Sequence, residues 1–149
     1  MSLARRQEPS APVVRAAMPD DHDACARIFL ESRRRAFFWL DPLSLSLADY
    51  LASVQDEDVW VAERQGEVVG FASVFAADSF VHNLFIDPAL RRQGIGRLLL
   101  SAVSARYPRP LRLKCVAENL AARRFYRAMG WSEEERGVDD GTTYILFRY

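Results

Sequence analysis

The 149-residue chain is short of the features that mark several large protein classes. No apolar run approaches the ~18 residues that a bilayer span requires, so no membrane partner is expected. Basic and acidic residues number 20 each, for a formal net charge of zero. Without a basic surplus, a surface that tracks nucleic-acid phosphates is not expected. Lys114 is the one lysine, so every other cation is an arginine. Cys25 and Cys115 form no CxxC pair, and a disulfide scaffold is not expected. His22-x-x-Cys25 is at most half of a metal site, and nothing in the sequence completes it, so no metal is expected. Residues Met1 to Pro12 carry Arg5-Arg6 with no apolar stretch behind them, unlike a signal peptide. The expectation is a flexible arm over 1–12, one domain over 13–149 and a reducing, cytoplasmic compartment.

What is present is a regular alternation of periods. Val13 to Ala17 reads as a strand. Pro19-Asp20-Asp21 opens a helix, because proline suits a first turn and acids suit the positive helix end; Cys25, Ile28, Phe29 and Ser32 share one of its faces. After the apolar Phe37-Phe38-Trp39-Leu40, a second helix carries Leu47, Tyr50, Leu51 and Val54 at i, i+3, i+4, i+7. Asp58 to Arg64 and Val68 to Phe75 read as a hairpin joined at Gln65-Gly66, and Phe80 to Ile86 as a further strand. The spacing predicts a helix over Gly94 to Tyr107 with Ile95, Leu98, Leu99, Ala102 and Val103 inward. It then predicts a strand over Leu111 to Val116, a helix over Asn119 to Met129, and a hairpin of Trp131 to Arg136 with Thr142 to Arg148. The order β-α-α-β-β-β-α-β-α-β-β predicts an α/β (α+β) domain whose sheet is mostly antiparallel, with at least one parallel crossover.

The stretch from Leu84 to Gly96, LFIDPALRRQGIG, joins a buried strand to a helix through a loop of Arg, Gln and Gly. Backbone N–H groups at a helix start have no partner in the helix, and with the dipole they form an anion site. Gly94 and Gly96 leave the backbone open to a phosphate, and Arg91, Arg92 or Arg97 can add charge-assisted bonds. A P-loop requires Gly-Lys-Ser/Thr, which is lacking. The dinucleotide fingerprint requires a third glycine where Leu99 stands, and its acid is only roughly matched by Glu118.

Arg91-x-x-Gly94-x-Gly96, preceded by Leu84-Phe85-Ile86-Asp87-Pro88, resembles the Arg/Gln-x-x-Gly-x-Gly/Ala signature of the GNAT family of N-acetyltransferases. Asn119-x-x-Ala122-x-x-Phe125-Tyr126-x-x-x-Gly130-Trp131 is similar to a second segment of that family, and the opening Val14-Arg15-x-Ala17 with Pro19-Asp20-Asp21 is similar too. The resemblance implies the GNAT acyl-CoA N-acyltransferase fold, with strand 84–86 bulged and splayed from strand 111–116, and acetyl-CoA as co-substrate. It implies that the N–H groups of Gln93, Gly94, Ile95, Gly96 and Arg97 hold the pyrophosphate, with Arg91 and Arg92 beside them. Leu84, Phe85 and Ile86 would pair with the pantetheine arm, and an N–H of Leu84 or Ile86 would polarise the thioester carbonyl. Asn119 and Ala122 would line the same arm, Asn119 also serving as a helix cap.

The implied reaction is attack of a neutral amine on a thioester. Holding a lysine-like amine of pKa ~10.4 neutral at pH 7 costs about 4.6 kcal/mol, against about 1 kcal/mol for an α-amine near 7.8. The resemblance makes Tyr126 the acid beside the leaving sulfur, although Ala122, Phe125, Tyr126 and Met129 also form a core stripe. His82, two residues before Leu84, is the candidate base, because an imidazole near pKa ~6.5 accepts protons at neutral pH; Glu118 is the alternative base. Cys115 offers a covalent route only if something ionises it. The family builds its acceptor pocket from Phe37 to Tyr50 and Glu133 to Thr143, where Asp41, Asp49, Asp139 and Asp140 can attract a cationic amine. The leading reading is therefore an N-acetyltransferase acting by direct attack in a ternary complex, with a homodimer open. The alternatives are a non-catalytic acyl-CoA-binding module and a partner-binding domain that uses Phe37 to Trp39.

Overall fold

The computed structural model describes residues 10–36 and 46–149. The expectations for Phe37, Phe38, Trp39 and Asp41, and for most of the N-terminal arm, lie outside these residues. The elements follow the expected order: β1 (Val13–Ala16), α1 (His22–Ala36), α2 (Leu47–Val54), β2 (Asp58–Arg64), β3 (Glu67–Phe75), β4 (Phe80–Ile86), α3 (Ile95–Ser104), β5 (Arg112–Val116), α4 (Leu120–Ala128), β6 (Ser132–Asp139) and β7 (Thr142–Arg148). The strands form one seven-stranded sheet in the order β1-β2-β3-β4-β5-β7-β6. Every neighbouring pair is antiparallel except β4 and β5, which α3 connects as a parallel crossover.

Each face of the sheet carries its own core, as two-faced burial requires. Cys25, Ile28 and Phe29 of α1 and Tyr50 and Val54 of α2 pack on Val61, Phe71 and Phe85. On the other face, Ile95, Leu99, Leu100 and Val103 of α3 meet Ala72, Val74, Val81 and Leu113, with Phe125 and Tyr126 of α4 against them. The inward face expected for α1 is borne out, including Ser32, which is buried with its hydroxyl donating to the Ile86 carbonyl at 3.4 Å.

Two helices are rotated from the expected registers. In α3 the buried arc centres on Leu99 and Val103, which takes Leu100 in and leaves Leu98 38% exposed. In α2 only Tyr50 and Val54 are buried, while Leu47 and Leu51 are exposed. A seven-residue periodicity defines a stripe wider than a short helix has sheet to cover. Helix α3 also ends three residues before Tyr107. The Tyr107 hydroxyl donates to Asp58 Oδ2 at 2.8 Å and accepts from Trp60 Nε1 at 2.7 Å, so that residue ties the loop to β2 instead.

The entry into α1 is fixed by a charged fork. Arg15 of β1 donates Nη1 to Asp21 Oδ2 at 2.6 Å and Nη2 to Asp21 Oδ1 at 3.0 Å, and its Nε reaches Glu63 of β2 at 2.5 Å. Asp21 also accepts the Met18 N–H at 2.7 Å. The Arg15 bonds hold the Asp21 carboxyl below its usual range. A depressed acid contributes stability that is complete above its unfolded pKa and is lost as pH falls through the folded value. Asp21→Asn is therefore expected to lower unfolding free energy by about 2 kcal/mol at pH 7. The gap from wild type should close below pH ~4, as read by urea unfolding across pH.

Candidate active site

Strand β4 carries the break on which the site is built. Ser73 of β3 faces Asn83, but the next residue, Val74, faces Val81, so β4 has one residue more than its partner and His82 is the surplus. Such a bulge reverses the alternation of sides. Leu84 and Ile86 point to the α3 face, yet so does Val81, whereas Asn83 and His82 both reach Ser53 on α2. Beyond the bulge, the Asp87 N–H donates to the Val69 carbonyl at 2.9 Å. Bonded pairs recur at every second residue of an antiparallel ladder. Phe85 therefore directs its backbone to β3, and Leu84 and Ile86 direct their N–H and C=O groups away from it, toward β5.

There β5 has diverged. The two strands pair only at Phe80 and Arg112, with one further bond from the Arg112 N–H to the Ser79 carbonyl at 3.1 Å. Strand β5 continues along β7 as far as Val116, leaving a wedge beside Leu84 and Ile86. The Phe85 side chain is not part of it, since the ring packs on Phe29 and Phe71 at 5.4 and 5.8 Å between centroids.

The loop after β4 ends at Gly94, the N-cap of α3, with φ 76° and no side chain to cap the helix. Arg92 is left-handed too, at φ 64°. The first helical bond runs from the Leu98 N–H to the Gly94 carbonyl, so the N–H groups of Ile95, Gly96 and Arg97 have no partner within the helix. Gln93 is fixed from outside by Arg64, 2.8 Å from its Oε1. Among the described residues, the side chains of Arg91, Arg92 and Arg97 have no hydrogen-bond or ion-pair partner. The two glycines differ in purpose. At Gly94 the backbone conformation disfavours a side chain although space is open, whereas a Cβ on Gly96 would lie 3.6 Å from Ile86 Cγ1 and Phe125 Cζ, in ordinary contact.

Tyr126 lies on the α3–α4 face, its ring 5.4 Å from Phe147 and 6.4 Å from Trp131. No described residue hydrogen-bonds its hydroxyl, and burial raises the phenol well above its usual range. Cys115 is close enough to add to that shift, and burial pushes its own thiol up to about 11. Asn119 caps α4, its Oδ1 accepting the Ala122 N–H at 3.2 Å. Ala122 and Phe125 pack on the same core as Leu84 and Ile86. His82 lies on the other face, its side chain about half exposed.

The sequence matches the model of the Acetyltransferase (GNAT) family over residues 20–131. The chain belongs to the GNAT acetyltransferase family. This acetyltransferase is 32% identical over 143 residues to the peptidyl-lysine N-acetyltransferase YiaC of Escherichia coli, covering 90% of this chain and 94% of that one. It is 32% identical over 144 residues to an aminoglycoside N(6')-acetyltransferase type 1 of Stenotrophomonas maltophilia, covering 87% and 92%. In fold, this GNAT protein resembles apo YjaB of Escherichia coli, with TM-score 0.78 at 22% identity over 94% of this chain and 98% of that one. It also resembles yncA of Salmonella typhimurium, solved with its cofactor acetyl-CoA, with TM-score 0.70 at 24% identity over 94% of both chains.

Two carboxylates considered for attracting an acceptor are otherwise engaged in this acetyltransferase. Asp49 accepts the Ser46 N–H at 2.6 Å as part of the α2 cap, and Asp139 pairs with Lys114 at 2.9 Å. Conversely, sequence reasoning passed over Ser53, Glu57 and Asn83, which surround His82. No local pattern marks them, because the α2–β2 turn meets β4 only in the folded chain. The two glycines give a direct test of the loop. Gly94→Ala is expected to cost about 1 kcal/mol of stability through the left-handed backbone, and Gly96→Ala to be neutral or stabilising by up to about 1 kcal/mol through helix propensity. Urea unfolding of the two variants distinguishes them, and equal losses would contradict the difference in roles.

Proposed function

We propose that this protein transfers the acetyl group of acetyl-CoA to a primary amine by direct attack, with both substrates bound together. The observation that carries this reading is the wedge between β4 and β5, flanked by Tyr126 on one face of the sheet and His82 on the other. The amine nitrogen forms a bond to the thioester carbon, the carbon–sulfur bond breaks, and the sulfur leaves as thiolate. Tyr126, protonated at neutral pH, donates its proton or a hydrogen bond to that sulfur. Nε2 of His82 removes the proton that the attacking amine sheds. The N–H groups of Leu84 and Ile86 are the donors for the carbonyl oxygen. Gln93 to Arg97, with Arg91 and Arg92, hold the diphosphate at the uncapped helix start; Asn119 and Ala122 lie along the pantetheine path.

The acceptor class follows from chemistry and from relatives. Both curated relatives are named for amine acceptors, a peptidyl lysine and an aminoglycoside. An amine of that basicity needs a base more than an α-amine does, which fits a histidine on the acceptor side. The buried, unpaired thiols Cys25 and Cys115 suit a reducing cytoplasm.

The test is thiol release from acetyl-CoA with a lysyl peptide, kanamycin and spermidine as acceptors. Tyr126→Phe is expected to reduce kcat about 10²-fold with the fold intact by circular dichroism; unchanged turnover removes Tyr126 from the reaction. In the same assay, His82→Ala is expected to lower kcat/KM and to remove the inflection of its pH profile in the imidazole range, leaving the slope set by the acceptor's own ammonium; an inflection that persists assigns the base elsewhere.

A further inference from the structure

Among the described residues, one buried side-chain oxygen is left without a hydrogen bond: Oε2 of Glu57. Glu57 lies in the turn between α2 and β2, its N–H held by the Val54 carbonyl at 3.1 Å. The residue before it, Asp56, is left-handed at φ 61°, a conformation aspartate adopts more readily than most residues. The Glu57 side chain is 7% exposed, and its Oε1 lies 2.9 Å from Nδ1 of His82. The Ser53 carbonyl stands 3.0 Å from the same nitrogen. An ionised carboxylate and a carbonyl can only accept, so in the neutral ring Nδ1 carries the proton and Nε2 keeps its lone pair. Next along β4, Asn83 donates its amide hydrogens to Ser53 and Ser73 hydroxyls, both at 2.8 Å, which pins the bulge from below.

We propose that Glu57 is a positioning residue for His82, holding the imidazole in the Nδ1–H form and balancing the charge it gains on taking a proton. The proposal rests on the reading of His82 as the base. In the step concerned, an N–H bond of the amine breaks and an Nε2–H bond forms. The positive charge moves to the ring beside Glu57, and the carboxylate itself takes no proton. The same division of labour orients histidines elsewhere, where a buried acid fixes the tautomer and stabilises the imidazolium.

Stability alone gives no reason for this acid. A buried carboxylate with an oxygen left unpaired opposes folding, and a glutamine of the same shape removes the charge. Several other charged groups around β4 have partners of their own. Arg27 of α1 sits between Glu31 and Asp87, and Arg112 and Lys114 of β5 pair with Glu134 and Asp139. Asp49 of α2 caps its helix, and Asp58 accepts from Tyr107. Arg97 of α3 lies on the opposite side of the sheet, at the loop.

The experiment compares wild type with Glu57→Gln in the full chain, reading three quantities. These are the unfolding midpoint, the pH titration of the His82 ring by NMR, and the pH profile of kcat/KM with acetyl-CoA and a lysyl peptide or kanamycin. The expected result is an unfolding midpoint unchanged or raised and a ring titration moved to lower pH by about 0.5–1 unit. The rate limb should move with it, and KM for acetyl-CoA should stay the same. A ring titration that does not move overturns the role of Glu57, whatever the activity. A ring that moves while the rate limb stays in place overturns His82 as base, and the positioning role with it. If Glu57→Gln fails to fold, Glu57→Asp keeps the charge at greater distance, and its ring titration must then fall below that of wild type.

Discussion

Between Ser73 and Val74 the third strand advances one residue while the fourth advances two, and the added residue is His82. A regular ladder would have sent Val81 to the same side as Asn83 and Phe85. The insertion sends Val81 into the α3 core instead and brings two successive polar residues, His82 and Asn83, against α2. It also adds local twist, at the point where β4 parts from β5. A change of side for the side chains and an opening in the sheet thus lie next to one inserted residue.

The remainder of the architecture keeps that opening from closing. Strand β5 is held along its length by β7, with paired residues from Arg112 to Val116, so it cannot drift back to β4. Strand β4 is held by β3 on its other side and by α1 and α3 on its two faces. The parallel crossover then places the start of α3 immediately after the open end of β4. A helix start with no cap and a strand with outward N–H groups are both unfavourable if left dry and unpaired. Here they sit side by side at the surface, so one extended ligand with a phosphate at one end and amide groups along its length can satisfy both.

Much of this was legible from periodicity. The face of α1 through Cys25, Ile28, Phe29 and Ser32 is set by one helix against one sheet, and the turn at Gly94 by a backbone conformation that only a few residues adopt. The element order also followed from changes of period between strands and helices. Less legible were rotations of a few tens of degrees, as in Leu98 and Leu100, where a run of leucines lets several registers satisfy the pattern. Least legible were pairings across the fold. Nothing near Asp139 foretells Lys114, and nothing near Glu57 foretells His82, since each pair is 25 residues apart and meets only through sheet topology.

The states of the protons narrow how such a site can react. Burial raises the Cys115 thiol to about 11, leaving roughly one part in ten thousand as thiolate at pH 7, and only the thiolate is a good nucleophile. Cys25, at about the same value for the same reason, lies in the core of the opposite face. A covalent acyl-enzyme on either sulfur would therefore need a base to ionise it. Tyr126 is shifted in the same direction: the phenol stays protonated across the whole neutral range, and as a weaker acid it is better suited to donate a hydrogen bond than to give up its proton. The environment that silences Cys115 as a nucleophile thus keeps Tyr126 supplied with its proton. Two neighbours under one physical influence thus differ in consequence: a thiol that must lose its proton to react is disabled, and a hydroxyl that needs only to donate a hydrogen bond is not.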